Sequence, residues 1–351
     1  MTDGPAKRSV PVTSGDAPRR CAVVINPIRV DGVAERRRVI ETILADAGWP
    51  APGWFETTAQ DPGAGQVRRA IAGGAEVVFV CGGDGTVRSS VEGIAGSDAA
   101  LAVLPAGTGN LLALNFGLPK DTAEGVRMAV AGGRRRVDVG DVDGQVFAVM
   151  AGMGLDAAML GDTSPRAKAR FGAAAYVVSA VKHLLDRPMQ VQLLVDEQTS
   201  RTHRARTVLV ANVGRLQGGV RLLPEAEPDD GRLDIALVSP RHLREWATLG
   251  WAVLRHQNRV PHMEILRGKR ITITTDRRQP RELDGDPITP SHNLTVTVRP
   301  GALILCAPHE ASHPTSPTTH PEHHPHRSGL PPIQRGRCDN ESVPVPRATP
   351  R

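Results

Sequence analysis

Two short stretches confine the fold of this chain more tightly than anything else in it. Glu76–Cys81 (EVVFVC) is a buried-strand run that ends in Gly82-Gly83-Asp84-Gly85-Thr86 and opens into the helical text VRSSVEGI. Leu101–Leu104 (LAVL) ends in the same manner, in Pro105-Ala106-Gly107-Thr108-Gly109-Asn110, before the helical LLALNFGLP. A strand that turns on glycine straight into a helix needs a parallel neighbour and a helical crossover, so two such units in succession predict a parallel sheet with helices on its faces. Glycines at the carboxyl end of such a strand present their N–H groups, and the next helix adds its positive end, which makes an anion cradle. Phosphate is the commonest anion held this way, and ligands of open α/β sheets bind outside these strand ends. Two neighbouring cradles suit a ligand with several phosphates. Asp84 would repel phosphate unless a divalent cation or a proton-transfer role justified it; the plainer reading is a tight turn with a helix-capping aspartate.

The flanking text agrees. Cys21–Asn26 (CAVVIN) reads as a strand, Ala34–Ala47 and Gln66–Ala72 as helices, and Asn26-Pro27 would lie at the same sheet edge as the glycine turns. After about Arg136 the text changes to short β-branched runs between Gly, Pro and Asp turns. These are Val146–Met150, Met189–Val195, Thr207–Asn212, Leu233–Val238, Ile271–Thr275 and Leu294–Val298, with helices expected at Lys168–Leu185 and His242–His256. Arg134-Arg135-Arg136 reads as a solvated turn before the change. The organisation is therefore a leader over 1–20, an α/β nucleotide-binding domain over 21–135, a β-rich domain over 136–308 whose last strand is free to return to the first, and a tail over 309–351.

Composition narrows the function classes. Of the net charge of +6, residues 1–20 carry +2 and 309–351 carry +1, which leaves +3 for the body, and ten aromatic side chains are too few for base-stacking platforms. Nucleic acid is not an expected partner. Four scattered cysteines (Cys21, Cys81, Cys306, Cys338) without a C-x-x-C pair suit a reduced, cytoplasmic protein. Neither a signal peptide nor about 18 consecutive apolar residues occurs, so any approach to a membrane would be peripheral, at its inner face. The tail holds six of the twelve histidines among prolines and polar residues, and is expected to be disordered rather than metal-binding. Pro165–Tyr176 (PRAKARFGAAAY) mixes cations with apolar residues and could lie on an anionic bilayer or against the second domain. There is no Walker G-x-x-x-x-G-K-[ST] loop, and no G-x-G-x-x-G with a downstream ribose-binding acid.

Asn26-Pro27, GGDGT at 82–86 and PAGTGN at 105–110, in this order and spacing, resemble the catalytic domain of the diacylglycerol kinase family, with its sphingosine kinase and YegS-like relatives. The resemblance extends through Gly152-Met153-Gly154-Leu155-Asp156, Asn212 to Gly219, Pro224, Ala226, Asp230-Gly231, Leu233-Asp234 and Leu283-Asp284-Gly285-Asp286. It implies an NAD kinase/phosphofructokinase-like α/β domain and a β-rich domain with a nucleotide cleft between them. It also implies ATP-dependent, Mg²⁺-assisted transfer of a phosphoryl group to a lipid hydroxyl, of diacylglycerol or a related glycerolipid or sphingoid base. By that resemblance Asn26, Pro27, Thr57 (or its neighbour Thr58), Gly82, Gly83, Asp84, Gly85, Thr86, Gly107, Thr108 and Asn110 line the nucleotide site. Asp286 is the proton acceptor, with Asp84 as alternative base or Mg²⁺ organiser. A second Mg²⁺ is held by the Asp230 carboxylate with main-chain oxygens of Glu227 and Arg232. A homodimer is left open.

The sequence departs from the family in two places. Asp286 stands where Glu is usual, one methylene shorter, and Ile28-Arg29-Val30 replaces a Ser-Gly loop, which leaves Arg29 as a candidate phosphate contact. Two other classes stay open: an NAD kinase-like enzyme, although its second-domain T-P-x-G-S-T-A-Y-type segment is missing, and a non-catalytic nucleotide or lipid sensor that has kept the fold.

Overall fold

A computed structural model describes residues 19–154, 187–199, 202–215, 221–240, 242–255 and 260–308. The expected helix Lys168–Leu185, the Pro165–Tyr176 segment, the leader up to residue 18, and the His-rich tail lie outside these residues.

The parallel half is laid down in the expected order. It runs β1 (Cys21–Ile25), α1 (Val33–Asp46), β2 (Gly53–Glu56), α2 (Ala64–Ala72), β3 (Val77–Gly82), α3 (Asp84–Ile94), β4 (Ala100–Pro105), α4 (Leu111–Phe116) and α5 (Thr122–Val130). Strands β2, β1, β3 and β4 lie side by side and parallel. β1, β3 and β4 are buried throughout, which is why they read as unbroken apolar runs. β2 was not legible: GWFE is a half-exposed edge strand whose Trp54 and Phe55 carry no alternation to betray it.

The second half is antiparallel. β5 (Arg134–Val142), β6 (Gln145–Phe147), β7 (Met150–Gly154), β8 (Met189–Val195), β9 (Gln198–Thr199), β10 (His203–Ala205), β11 (Thr207–Ala211) and β12 (Leu233–Val238) precede α6 (Leu243–Leu254), β13 (Met263–Gly268), β14 (Arg270–Leu283) and β15 (Asp286–Cys306). The sheet is continuous in the order β13-β12-β11-β7-β14-β15-β4-β3-β1-β2. β15 joins the two halves: it pairs antiparallel with β14 and β5, and its end pairs parallel with β4 through Ile304–Ala100 and Leu305–Leu101. One apolar cluster, with Val78, Val80, Leu101, Leu112, Val149, Ala211 and Leu305, runs through both halves without a break.

Three expectations are corrected. Arg134–Arg136 is not a solvated turn but the start of β5, opposite Ile304–Cys306 of β15. The arginines are tolerated in a strand because their heads find oxygen: Arg134 donates to the carbonyls of Ala129 and Gly133, and Arg135 pairs with Asp229 at 3.0 Å. Val146–Met150 is not one strand, since Ala148 and Val149 leave the ladder between β6 and β7 and give their N–H groups to a carboxylate instead. Ile271–Thr275 is the first part, and Leu294–Val298 the middle, of two much longer strands, β14 and β15.

Candidate active site

The two glycine turns are built against each other. Gly82 and Pro105 are paired residues at the ends of β3 and β4, and Ala106 N donates to Gly82 O at 3.0 Å. A Cβ on Gly107 would stand 2.8 Å from the Cα of Gly83, and one on Gly82 would stand 2.6 Å from Thr86 Cβ. Glycine is required here by contact rather than by dihedral angle. Asp84 is the first residue of α3, yet its carboxylate serves the next helix: Oδ2 accepts from Asn110 N at 2.9 Å and Oδ1 from Leu111 N at 2.6 Å. The aspartate is therefore a helix cap, but of α4, and it welds the first turn to the second. Burial pushes its pKa up, against the opposing pull of the Leu111 and Asn110 N–H groups. Asn110, left-handed at φ 48°, closes the second turn on itself, its amide accepting from Gly107 N at 3.0 Å and donating to Gly107 O at 2.7 Å.

The end of β1 joins the same edge. Asn26 Nδ2 donates to Thr86 Oγ1 at 3.1 Å, and its Oδ1 accepts from Ile28 N and Arg29 N, so Asn26 ties its own loop to the GGDGT turn. Pro27, Ile28 and Arg29 are exposed beyond it, Ile28 to 84%. Thr57, just past β2, is buried and donates through its N–H to Ile25 O; Thr58 is exposed and its Oγ1 accepts from Asp61 N. Thr108 is exposed on the second turn, while Thr86 is buried beneath the first.

Asp284-Gly285 is the tip of the β14–β15 hairpin, with positive φ at both residues (48° and 89°) and Leu283 paired to Asp286. That is the turn an Asp-Gly step favours between antiparallel strands. Asp284 points inward and is fully buried; its oxygens accept from the N–H groups of Ala148, Val149 and Met150 at 2.9, 2.9 and 2.8 Å. Burial pushes its pKa up to about 6 in spite of these donors and the nearby Arg88 charge. Asp286, just past the tip, stands against the first glycine turn. A Cβ on Gly85 would lie 3.4 Å from its Oδ2, and Arg88 Nε donates to that same oxygen at 2.9 Å. Asp84, Val87, Arg88, Leu111, Val149 and Asp284 are among the residues that line a small pocket at this junction.

The acidic turn stands on its own elements. Asp230 Oδ1 accepts from Arg232 N at 2.8 Å, and Glu227, Asp230 and Arg232 are all exposed. Below them Asp138, buried in β5, accepts from Gly231 N and Gly301 N, both at 2.7 Å. Burial pushes Asp138 up, and the charges of Asp230 and Asp229 push in the same direction. Asp234 is likewise raised by burial, although its ion pair with Arg267 at 2.6 Å opposes the shift. Among the described residues no group of three or more His, Cys, Asp or Glu side chains is placed to hold a metal ion, so a cation at this turn would rest on the Asp230 carboxylate and main-chain oxygens. Oxygen donors of that kind suit a hard cation.

Sequence reasoning passed over Arg88 and Asp138. Arg88 lies one helical turn after Asp84, on the same face, and that spacing was the available signal. Asp138 takes the polar place of the Val137-Asp138-Val139 alternation, where an exposed side chain is expected, so its burial left no signal in the sequence.

Residues 20–142 match the diacylglycerol kinase catalytic domain, and residues 148–307 match the YegS C-terminal NAD kinase beta sandwich-like domain. A protein of Pseudomonas putida named "Probable lipid kinase YegS-like" is 32% identical over 279 residues, covering 76% of this chain and 88% of the relative. A diacylglycerol kinase of Bacillus subtilis is 26% identical over 216 residues, covering 60% of this chain and 71% of the relative. Among solved structures, a diacylglycerol kinase from Bacillus anthracis str. Sterne superimposes with a TM-score of 0.68 at 23% identity, covering 83% of this chain and 97% of that one. The interlocked glycine turns at one sheet edge, the β-rich half behind them and the two matches that together run from residue 20 to 307 lead to one conclusion: the chain belongs to the diacylglycerol kinase family of lipid kinases, alongside its YegS-like members.

Proposed function

We propose that this kinase transfers the γ-phosphoryl group of ATP to the hydroxyl of a membrane lipid, diacylglycerol or a related glycerolipid or sphingoid base. The observation that carries the reading is the approach of Asp286, from the far end of the sequence, to Gly85 in the first glycine turn. A carboxylate half-exposed beside an anion cradle is what an acceptor hydroxyl needs.

In this reading the backbones of Gly82, Gly83 and Gly85 hold phosphate oxygens, with Thr86 and Thr108 beside them; Gly107, whose N–H is already given to the Asn110 side chain, lets the second turn close on the first, and Asn26, Pro27 and Thr57 bound the rest of the nucleotide. Asp286 accepts the lipid hydroxyl proton as that oxygen bonds to the γ-phosphorus and the bond to the bridging oxygen breaks, releasing ADP. Asp84 acts as the brace of the second turn, since both of its oxygens already serve α4. Mg²⁺ bound with the nucleotide neutralises phosphate charge. At the acidic turn Asp230, with main-chain oxygens of Glu227 and Arg232, would hold a second Mg²⁺ that steadies the loop over Asp138.

No helix among the described residues is long and apolar enough to cross a membrane. In this reading the lipid is met at the membrane surface, peripherally.

The test is ADP release over a panel of lipids in mixed micelles, with extraction of the lipid after incubation with γ-labelled ATP. Label in the lipid phase with diacylglycerol or a sphingoid base supports the reading. Label on NAD, or ADP release that no lipid stimulates, rejects it.

A further inference from the structure

Asp286 is held in a way that the glycine turns alone do not explain. It sits on a two-residue hairpin tip, and its side chain is 40% exposed, so an unrestrained aspartate there would be free to rotate into solvent. The hairpin itself is pinned from below by Asp284 on three N–H groups. What fixes the Asp286 carboxylate is Arg88, whose Nε meets Oδ2 at 2.9 Å across 198 residues of sequence.

Arg88 comes from α3, the helix that begins with the GGDGT turn, one helical turn after Asp84. The guanidinium is rigid and planar, so its Nε–H fixes where the partner oxygen stands. Its own side chain is only 16% exposed, and its Nη1 is buried without a hydrogen-bond partner. An arginine that leaves a buried donor unsatisfied in order to present Nε to a half-exposed carboxylate is poorly explained by stability alone, because such pairs contribute little.

We propose that Arg88 is the positioning residue for Asp286: by its Nε bond it registers the carboxylate to the phosphate-cradling turn, through the rigid first turns of α3. The inference rests on the kinase reading above, and adds to it the residue that lets an aspartate serve at this place. Helix α3 then carries the cradle at its first residues and the holder of the proton acceptor at its fifth, so the two halves of the reaction share one rigid element.

The experiment compares Arg88→Ala and Arg88→Lys with the unaltered protein in steady-state lipid phosphorylation, with melting curves as a folding control. A misplaced acceptor lowers kcat, so Arg88→Ala should reduce it by roughly 10- to 100-fold while the KM for ATP stays within about twofold. Arg88→Lys, which restores a donor and a charge, should recover part of the loss. An unchanged kcat in Arg88→Ala, or a rise in the KM for ATP at constant kcat, overturns the proposal and makes Arg88 a phosphate contact or a bystander. If the unaltered protein phosphorylates no lipid, the kinase reading has failed, and the crystal structure of Arg88→Ala decides this inference by itself. An Asp286 carboxylate that turns away from Gly85 upholds it, and one that stays within about 0.5 Å of its place rejects it.

Discussion

Replacing Asp84 by Asn separates bracing from chemistry at the centre of the site. The side chain keeps its size, but only one oxygen remains where the N–H groups of Asn110 and Leu111 converge at 2.9 and 2.6 Å. One of those donors would then face an amide –NH₂, which is itself a donor. Losing one charge-assisted hydrogen bond and stranding a buried N–H costs about 1–3 kcal/mol. Relief of the buried charge offsets part of that, because burial already pushes the Asp84 carboxyl up. The net expectation is a loss of about 1–2 kcal/mol, in the range measured for deleted helix caps. For a folded unit of this size that lowers Tm by about 2–4 °C, readable by scanning calorimetry at pH 7. The activity should fall mainly through the KM for ATP, since the loosened α4 start carries the Gly107 turn with it. An Asp84→Asn protein with unaltered Tm and KM but no turnover would refute the argument and return Asp84 to the chemistry.

Gly107→Ala places a methyl group 2.8 Å from Gly83 Cα, so the two turns must separate; about 1–3 kcal/mol of stability and most ATP affinity should go, read by denaturant unfolding and nucleotide titration. Asp284 titrates at about 6 in the folded protein against 3.8 as an ordinary carboxyl, so the native state holds the extra proton between those values. Its contribution to stability is full below pH 4 and is lost as pH rises through 6, with a slope of up to about 1.4 kcal/mol per pH unit. Asp284→Asn should remove that slope from urea midpoints measured between pH 4 and 7, and identical slopes in the two proteins would count against it. Millimolar Mg²⁺ should raise the Tm of the unaltered protein, and Asp230→Ala should abolish the rise; an equal rise in both would move the cation elsewhere.

The parallel half was legible because its strands are buried on both faces and its crossovers start at glycine, so sequence order and spatial order coincide. The strand Gly53–Glu56 was not, since it is a four-residue edge strand that offers only Trp54 and Phe55, one to each apolar cluster, between exposed ends. The break at Ala148 and Val149 was hidden for a different reason: the carboxylate that draws their N–H groups out of the ladder, Asp284, is more than 130 residues away. The candidate site divides along the same line. Asp84, Gly107 and Asn110 belong to local motifs and could be named from spacing, whereas the meeting of Asp286 with Gly85 and Arg88 is made by tertiary folding alone. The choice between cap and base for Asp84 was open in the sequence because both roles need a carboxylate at that turn; what separates them is the direction in which its oxygens point.

The strand from Asp286 to Cys306 has a consequence for how the protein can be made and divided. Its first residue is the proposed proton acceptor, and near its other end Ile304 and Leu305 close the open side of β4. During synthesis the first hundred residues therefore present a bare, apolar strand edge until some two hundred more have emerged, a template for wrong pairings in the interval. A fragment cut after residue 142 would keep every glycine of the nucleotide turns and still lack the strand that seals them. Such a fragment should aggregate rather than bind ATP, and adding residues 286–306 back as a separate peptide should be what rescues its solubility.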